Sequence, residues 1–141
     1  MTTDRFKQII MENVFKTSAS PTYSIPTTYY LGLSTSTATS GEPQSSTGYA
    51  RINLTSGYKL TYNTSTKKVT NNVDITFDNS AGSSDWFATG SPAAYYIITD
   101  SATSGNILAY GQLSTAKSIL AGDTAKIASG DLQISISDND T

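Results

Sequence analysis

The sequence predicts an all-β protein: an antiparallel β-sandwich of jelly-roll-like character, preceded by one N-terminal amphipathic α-helix. Three observations predict it. From residue 28 onward, apolar and polar side chains alternate with a period of two in many short runs. Gly, Ser and Asn joints separate those runs at the spacing of antiparallel sandwiches. Thr and Tyr, which suit pleated and half-exposed surfaces, are abundant in a chain with 43 Ser plus Thr and 9 Tyr.

The helix comes first. Residues 4–16 contain no Gly, Pro or Ser, and Phe6, Ile9, Ile10 and Val14 recur at three- and four-residue spacing on one face. Asp4 suits the N-terminal end, where its carboxylate can accept from free amides and meets the positive end of the dipole, and Lys16 suits the other end. About three turns of helix are marginal alone in water, so the apolar face must lie on something. Two destinations are open: the protein's own core, or another subunit. Met11 and Phe15 widen the apolar surface and make Phe6, Ile9, Ile10, Met11, Val14 and Phe15 a candidate assembly interface. Residues 17–28, with Pro21 and Pro26, then carry the chain away.

Short strands are predicted at 28–34, 49–54, 57–62, 67–70, 73–77, 86–88, 94–99, 107–113, 117–120, 124–128 and 132–137. The clearest alternations are Val73, Ile75, Phe77 and Leu132, Ile134, Ile136. Residues 34–48 form the longest predicted loop and 80–84 the next; loops of such length are functional or mobile. The organisation expected is a helix and linker over 1–27, a sandwich over 28–137, and a polar tail over 138–141.

Composition narrows the chemistry. With no His and no Cys, the chain cannot build Ser-His-Asp or Cys-His nucleophiles, imidazole or thiolate metal sites, or disulfides. A net charge of −2 and a longest basic cluster of Lys67-Lys68 give no field that would draw in nucleic acid or an anionic membrane. No run approaches the ~20 apolar residues of a membrane span, and the N-terminus lacks the order of a signal peptide, so a soluble protein without its own export signal is expected. Charge is unevenly placed. Before Asp74 there are seven basic and three acidic residues; from Asp74 on, eight acidic and two basic. Complementary faces of neighbouring subunits would use such a tilt; the alternative is that it serves no function.

Ser114 and Lys117 match Ser-x-x-Lys, but Gly111 before them and Ile119-Leu120 after them read as a turn between strands, not the helix that the chemistry needs. Asp74, Asp78, Asp85, Asp100, Asp123 and Asp131 could in principle pair for glycoside hydrolysis. Most sit beside Gly, Asn or Ser, where Asp makes turns. Asp138 and Asp140 resemble alternate ligands of a calcium loop but lack its Gly and distal Glu. Neither catalytic residues nor a cofactor or metal site is expected. Tyr29, Tyr58, Tyr62, Trp86 and Tyr95 are candidate surface-binding rings, able to stack on sugars, against the alternative that they fill the core.

The ordered segments Tyr29-Tyr30-Leu31-Gly32-Leu33-Ser34-Thr35, Glu42-Pro43, Gly48-Tyr49-Ala50-Arg51, Asn72-Val73-Asp74-Ile75-Thr76-Phe77, Trp86, Asn106-Ile107-Leu108-Ala109-Tyr110-Gly111 and Gly122-Asp123 with Gly130-Asp131-Leu132 resemble a family of short tailed-bacteriophage virion proteins usually labelled tail fibre protein. The resemblance spans residues 29 to 136 and rests on the order of the segments. It implies a non-enzymatic fibre or decoration component on the head or tail surface, assembled in the bacterial host cytoplasm. Its partners would be other virion proteins and further copies of itself, a trimer being the expected state. The alternative is a carbohydrate- or receptor-binding module for adsorption to the host. No functional residues transfer with the motifs, since Gly and aromatic positions of this type describe turns and packing.

Overall fold

The computed structural model describes residues 1–15 and 19–136. The chain enters as an extended segment paired to a later strand: Thr2 bridges Ala109, the Thr3 N–H donates to Leu108 O at 2.8 Å, and the Tyr110 N–H donates to Met1 O at 2.8 Å. Helix α1, Asp4–Val14, follows directly. Its N-cap is Thr3, whose Oγ1 accepts from the Phe6 N–H at 3.3 Å, and not Asp4. The reason is the strand pairing, which holds Thr3 extended at the point where the helix starts. Asp4 keeps its favourable place in the first turn and approaches Lys7 at 3.8 Å. Lys16 lies outside the described residues.

Among the described residues nine strands follow: β1 Tyr30–Ser34, β2 Ile52–Asn53, β3 Leu60–Asn63, β4 Lys68–Asn71, β5 Ile75–Asp78, β6 Ala93–Thr99, β7 Ile107–Lys117, β8 Thr124–Ile127 and β9 Gln133–Ile134. All described pairings between them are antiparallel, in a four-stranded sheet β2-β1-β6-β7, a three-stranded sheet β3-β4-β9 and a pair β5-β8. The predicted all-β sandwich with one N-terminal helix is thus the observed class. Several strands differ from expectation: the described part of 132–137 reduces to the two-residue β9, and 117–120 gives only the end of β7 and a bridge at Ile119. The run at 86–88 reduces to one bridge between Phe87 and Ile119, and 49–54 to a two-residue strand. Ser114 to Lys117, read as a turn, is strand: β7 runs on until Lys117 pairs with Ala93, across an irregularity between Ala93 and Tyr95.

The three sheets share one core built from Leu31, Leu33, Tyr49, Leu54, Ile75, Phe77, Phe87, Ile98, Ile119 and Leu132 among others. Each such side chain, fully buried, stabilises by about 1.5–3 kcal/mol. The pleat puts Ile97 and Leu108 on the face opposite Ile98 and Ala109, and they too are fully buried. What covers that second face is α1, which lies along β7 and contributes Ile9, 3% exposed. The large sheet is therefore apolar on both sides. Alternation was followed past the true strand ends in two places: Ile75 and Phe77 point inward but Val73 is exposed, and Leu132 is buried but Ile136 is exposed.

Two buried asparagines tie the loops to this core. Asn71 donates to Val73 O and Ala128 O, both at 2.8 Å, and its Oδ1 accepts from the N–H groups of Gly130 and Leu132 at 3.1 and 2.9 Å. That is the full capacity of an amide side chain. Asn79 donates to Ser84 O and Leu120 O, both at 2.9 Å, closing the 80–84 loop.

Candidate functional site

The candidate assembly face on α1 divides in two. Ile9 is buried and Phe6 and Ile10 half-buried, turned to the protein's own sheet. Met11, Val14 and Phe15 stand in solvent, the last two 63% and 66% exposed. A helix lying on a sheet buries a stripe, and residues one turn nearer its C-terminus run past the sheet's edge. The linker returns along the helix: Asn13 donates to Tyr23 O at 2.8 Å, Glu12 accepts from the Tyr23 N–H at 3.3 Å, and Arg5 lies over the Tyr23 ring. The hydrogen bond from Gln8, then those from residues 22 and 23, hold the Glu12 carboxyl below its ordinary range despite partial desolvation.

The five candidate surface rings are dispersed. Tyr58, in a turn with a positive φ of 49°, is 84% exposed, and Tyr62 on β3 is exposed as well. Tyr29 and Tyr95 are half-buried, and burial raises the Tyr29 hydroxyl above its ordinary range. Trp86 serves packing: its Nε1 donates to Thr47 O at 3.0 Å and its ring meets Tyr49 edge-on at 5.4 Å.

The most tightly built polar centre went unread in the sequence. Arg51 donates through Nε and Nη2 to both oxygens of Glu42, at 2.6 Å for Nη2 to Oε2, and through Nη1 to Thr99 Oγ1, Ser101 O and Ser104 O at 3.0, 2.7 and 2.7 Å. Both side chains are over nine-tenths buried. The pair spans three elements: the 34–48 loop, the start of β2, and the turn from β6 to β7. Gly32 lies beneath it, since a Cβ there would run into Glu42. Tyr49 completes the cluster, accepting from the Leu33 N–H at 2.7 Å and reaching Glu42 Oε1 at 3.1 Å. Burial first, then the Glu42 charge, raises the Tyr49 hydroxyl far above its ordinary range, so it stays protonated. The long loop is thereby clamped at its far end, while Ser34 Oγ donates to Ala38 O at 2.8 Å near its start. The signal that could have found this pair was a Glu within one long loop and an Arg just after it, in a chain poor in charge.

Asp78, Asp100 and Asp123 bond locally, as expected of turn formers, whereas Asp74 and Asp85 tie together distant segments. Asp74, Asp78, Asp85, Asp100 and Asp123 each accept from a backbone N–H, of Ser129, Ser80, Ala121, Asn106 and Leu120 respectively, at 2.7–3.0 Å. The Lys126 ammonium, at 3.0 Å, is the main cause that lowers the Asp74 carboxyl below its ordinary range. Ser114 and Lys117 lie exposed on an extended strand, without the helical turn Ser-x-x-Lys activation requires. Asp138 and Asp140 lie outside the described residues. Among the described residues no group of three or more acidic side chains converges as a metal site requires, and no helix is long and apolar enough to cross a membrane.

A groove of ≈ 570 Å³ opens between β7, β8 and β9, floored by Leu33, Phe77 and Leu132. A shallower one of ≈ 580 Å³ lies over the Glu42–Arg51 pair. The architecture is that of a packed β scaffold with clamped loops and one apolar helix end left in solvent. No curated protein matches this chain at a significant level. Residues 2–135 match the family described as podophage GP4 fiber I protein gp80, almost the whole length, and the chain belongs to that family of phage fibre proteins, structural components of the virion.

Proposed function

We propose that this fibre protein works without catalysis, as a surface component of the head or tail that docks on other virion proteins through the outward end of α1. The observation that carries this reading is the exposure of Met11, Val14 and Phe15 together on a helix whose other face is spent on the large sheet. Large apolar side chains clustered at one helix end are the feature expected of a contact surface. In this reading residues 1–27 are the attachment arm and 28–137 the displayed sandwich, assembled in the host cytoplasm as a homo-oligomer, with a trimer expected. The uneven placement of charge along the chain supports contact between subunits.

Particles grown with Val14→Asp and Phe15→Asp in place test it. Loss of the protein from purified particles, with the isolated variant still folded by circular dichroism, is the expected result; normal incorporation refutes the docking surface. Adsorption to host glycans is the second reading, favoured by Tyr58 at 84% exposure. Host-cell binding by the isolated protein that is lost in Tyr58→Ala would place the contact there.

A further inference from the structure

Arg5 differs from the other guanidinium of this chain. Arg51 spends its N–H groups on five acceptors. Arg5 Nε is shielded from solvent with no acceptor, and among the described residues nothing accepts from its remaining N–H groups. Among the described residues its partner is a ring: Cζ sits 3.8 Å from the centroid of Tyr23. Stacking satisfies the face of a guanidinium and leaves its edge, where all five donors lie, unused. Nε itself is closed off, so the donors left for a ligand in the adjoining cavity are the terminal Nη groups.

The surroundings shape a site for those donors. Tyr23 is held from two sides, by Glu12 at its N–H and by Asn13 at its carbonyl, so the stacked guanidinium is preorganised. Arg5 lines an open cavity of ≈ 450 Å³, with Thr22, Ser24, Thr27 and Thr28 supplying hydroxyls and Asp100 on its wall. Both Asp100 oxygens accept from Asn106, at 2.7 and 2.9 Å, which fixes the carboxylate without removing its spare lone pairs.

We propose that this cavity binds an acidic sugar residue of the uronic acid class. The planar guanidinium edge matches one carboxylate in bidentate fashion. The hydroxyls and the Asp100 carboxylate match the alternating donors and acceptors of a polyol. Asp100 also discriminates: its charge opposes a phosphate dianion or a multiply acidic peptide, while it accepts readily from neutral sugar hydroxyls. A cavity of this size is in the range of small-ligand sites. The proposal is independent of the docking surface at the far end of α1.

The test is a nuclear magnetic resonance titration of the full-length protein, following the Arg5 Nε–Hε signal. D-Glucuronate should shift it saturably, D-glucose should not, and inorganic phosphate and a triglutamate peptide should act more weakly than glucuronate. Arg5→Lys, which keeps the charge and loses the fork, should weaken glucuronate binding about tenfold or more with the melting temperature unchanged. The wild-type titration stands even if that variant folds poorly. No saturable shift with glucuronate, an equal response to phosphate, a stronger one to the peptide, or full affinity in Arg5→Lys would each overturn the assignment.

Discussion

Removing one oxygen from Tyr49 tests how the core closes. Strand β2 pairs only with Tyr30 and Leu31, so beyond that point the outer edge of β1 has no strand beside it, and the Leu33 N–H, in a residue 3% exposed, relies on the Tyr49 hydroxyl at 2.7 Å. Its single proton goes to Glu42 Oε1 at 3.1 Å in preference to Leu33 O at 3.3 Å, since the charged acceptor is also the nearer. Tyr49→Phe keeps the ring and its packing on Phe77 and Phe87. It leaves one buried amide without an acceptor, about 1–3 kcal/mol, and removes one hydrogen bond to a carboxylate still held by Arg51, at the low end of about 1.5–3 kcal/mol. The expected loss is about 2–4 kcal/mol in urea unfolding followed by Trp86 fluorescence, with the denaturant slope unchanged. The pH profile gives a second readout. The hydroxyl ionises near its ordinary 10.0 in the unfolded chain but resists ionisation in the fold. Its contribution is therefore intact below pH 10 and declines as pH rises further, by up to about 1.4 kcal/mol per unit. Tyr49→Phe should lack that component of the decline. A loss below about 0.5 kcal/mol, or an unaltered alkaline limb, would refute the view that this hydroxyl stands in for a missing strand.

Four further outcomes are open to the same kind of measurement. Arg51→Met alone should destabilise by about 3–5 kcal/mol, because it strands a buried carboxylate, whereas Glu42→Met with Arg51→Met should recover most of that in a double-mutant cycle. Gly111→Ala should cost about 1–3 kcal/mol by chemical denaturation, since a Cβ there overlaps the Tyr96 ring, whose hydroxyl bonds Gln133 O at 2.9 Å. Asn71→Ala, which strands the Leu132 amide and the Val73 carbonyl while Gly130 and Ala128 keep backbone partners, should lower stability by at least about 2 kcal/mol, read as a fall in the urea midpoint. Ile9→Asp should unfold or severely destabilise the protein, while Val14→Asp should shift stability by no more than about 0.5 kcal/mol in the same assay.

The parts legible in the sequence were those dictated by local periodicity. Ile75 and Phe77, or Leu31 and Leu33, announce their buried face because a two-residue period has one reading beside polar neighbours. The helix was legible for the same reason, yet its cap was misplaced by one residue, since Thr3 is chosen by a pairing with Leu108 more than a hundred positions away. The end of β7 was hidden because Ser114 to Lys117 carries Ala116 as its one apolar residue and takes its strand form where Lys117 pairs with Ala93 on β6. Asn71 drew no notice in the sequence, because three of its four bonds go to residues 128–132 and depend on long-range closure. Glu42 and Arg51 could be seen singly, but nothing local says that a loop will bring them together, or that water will be excluded when it does.

That exclusion of water bears on how a fibre protein presents a surface. Loops poor in charge and rich in hydroxyls carry little intrinsic order, and ordering them on contact with a partner would reduce affinity. Here the ordering is done in the free protein. Arg51 holds the 34–48 loop and the 101–104 turn in one network, Asn79 holds the 80–84 loop, and Trp86 ties Thr47 to the core. Helix α1 is seated on the sheet by Thr2 and Thr3 at one end and by Ile9 at its middle, which leaves its last turn projecting at a fixed angle. A partner meeting Met11, Val14 and Phe15 thus meets a rigid element, and association there need not repeat the entropy loss already incurred in folding.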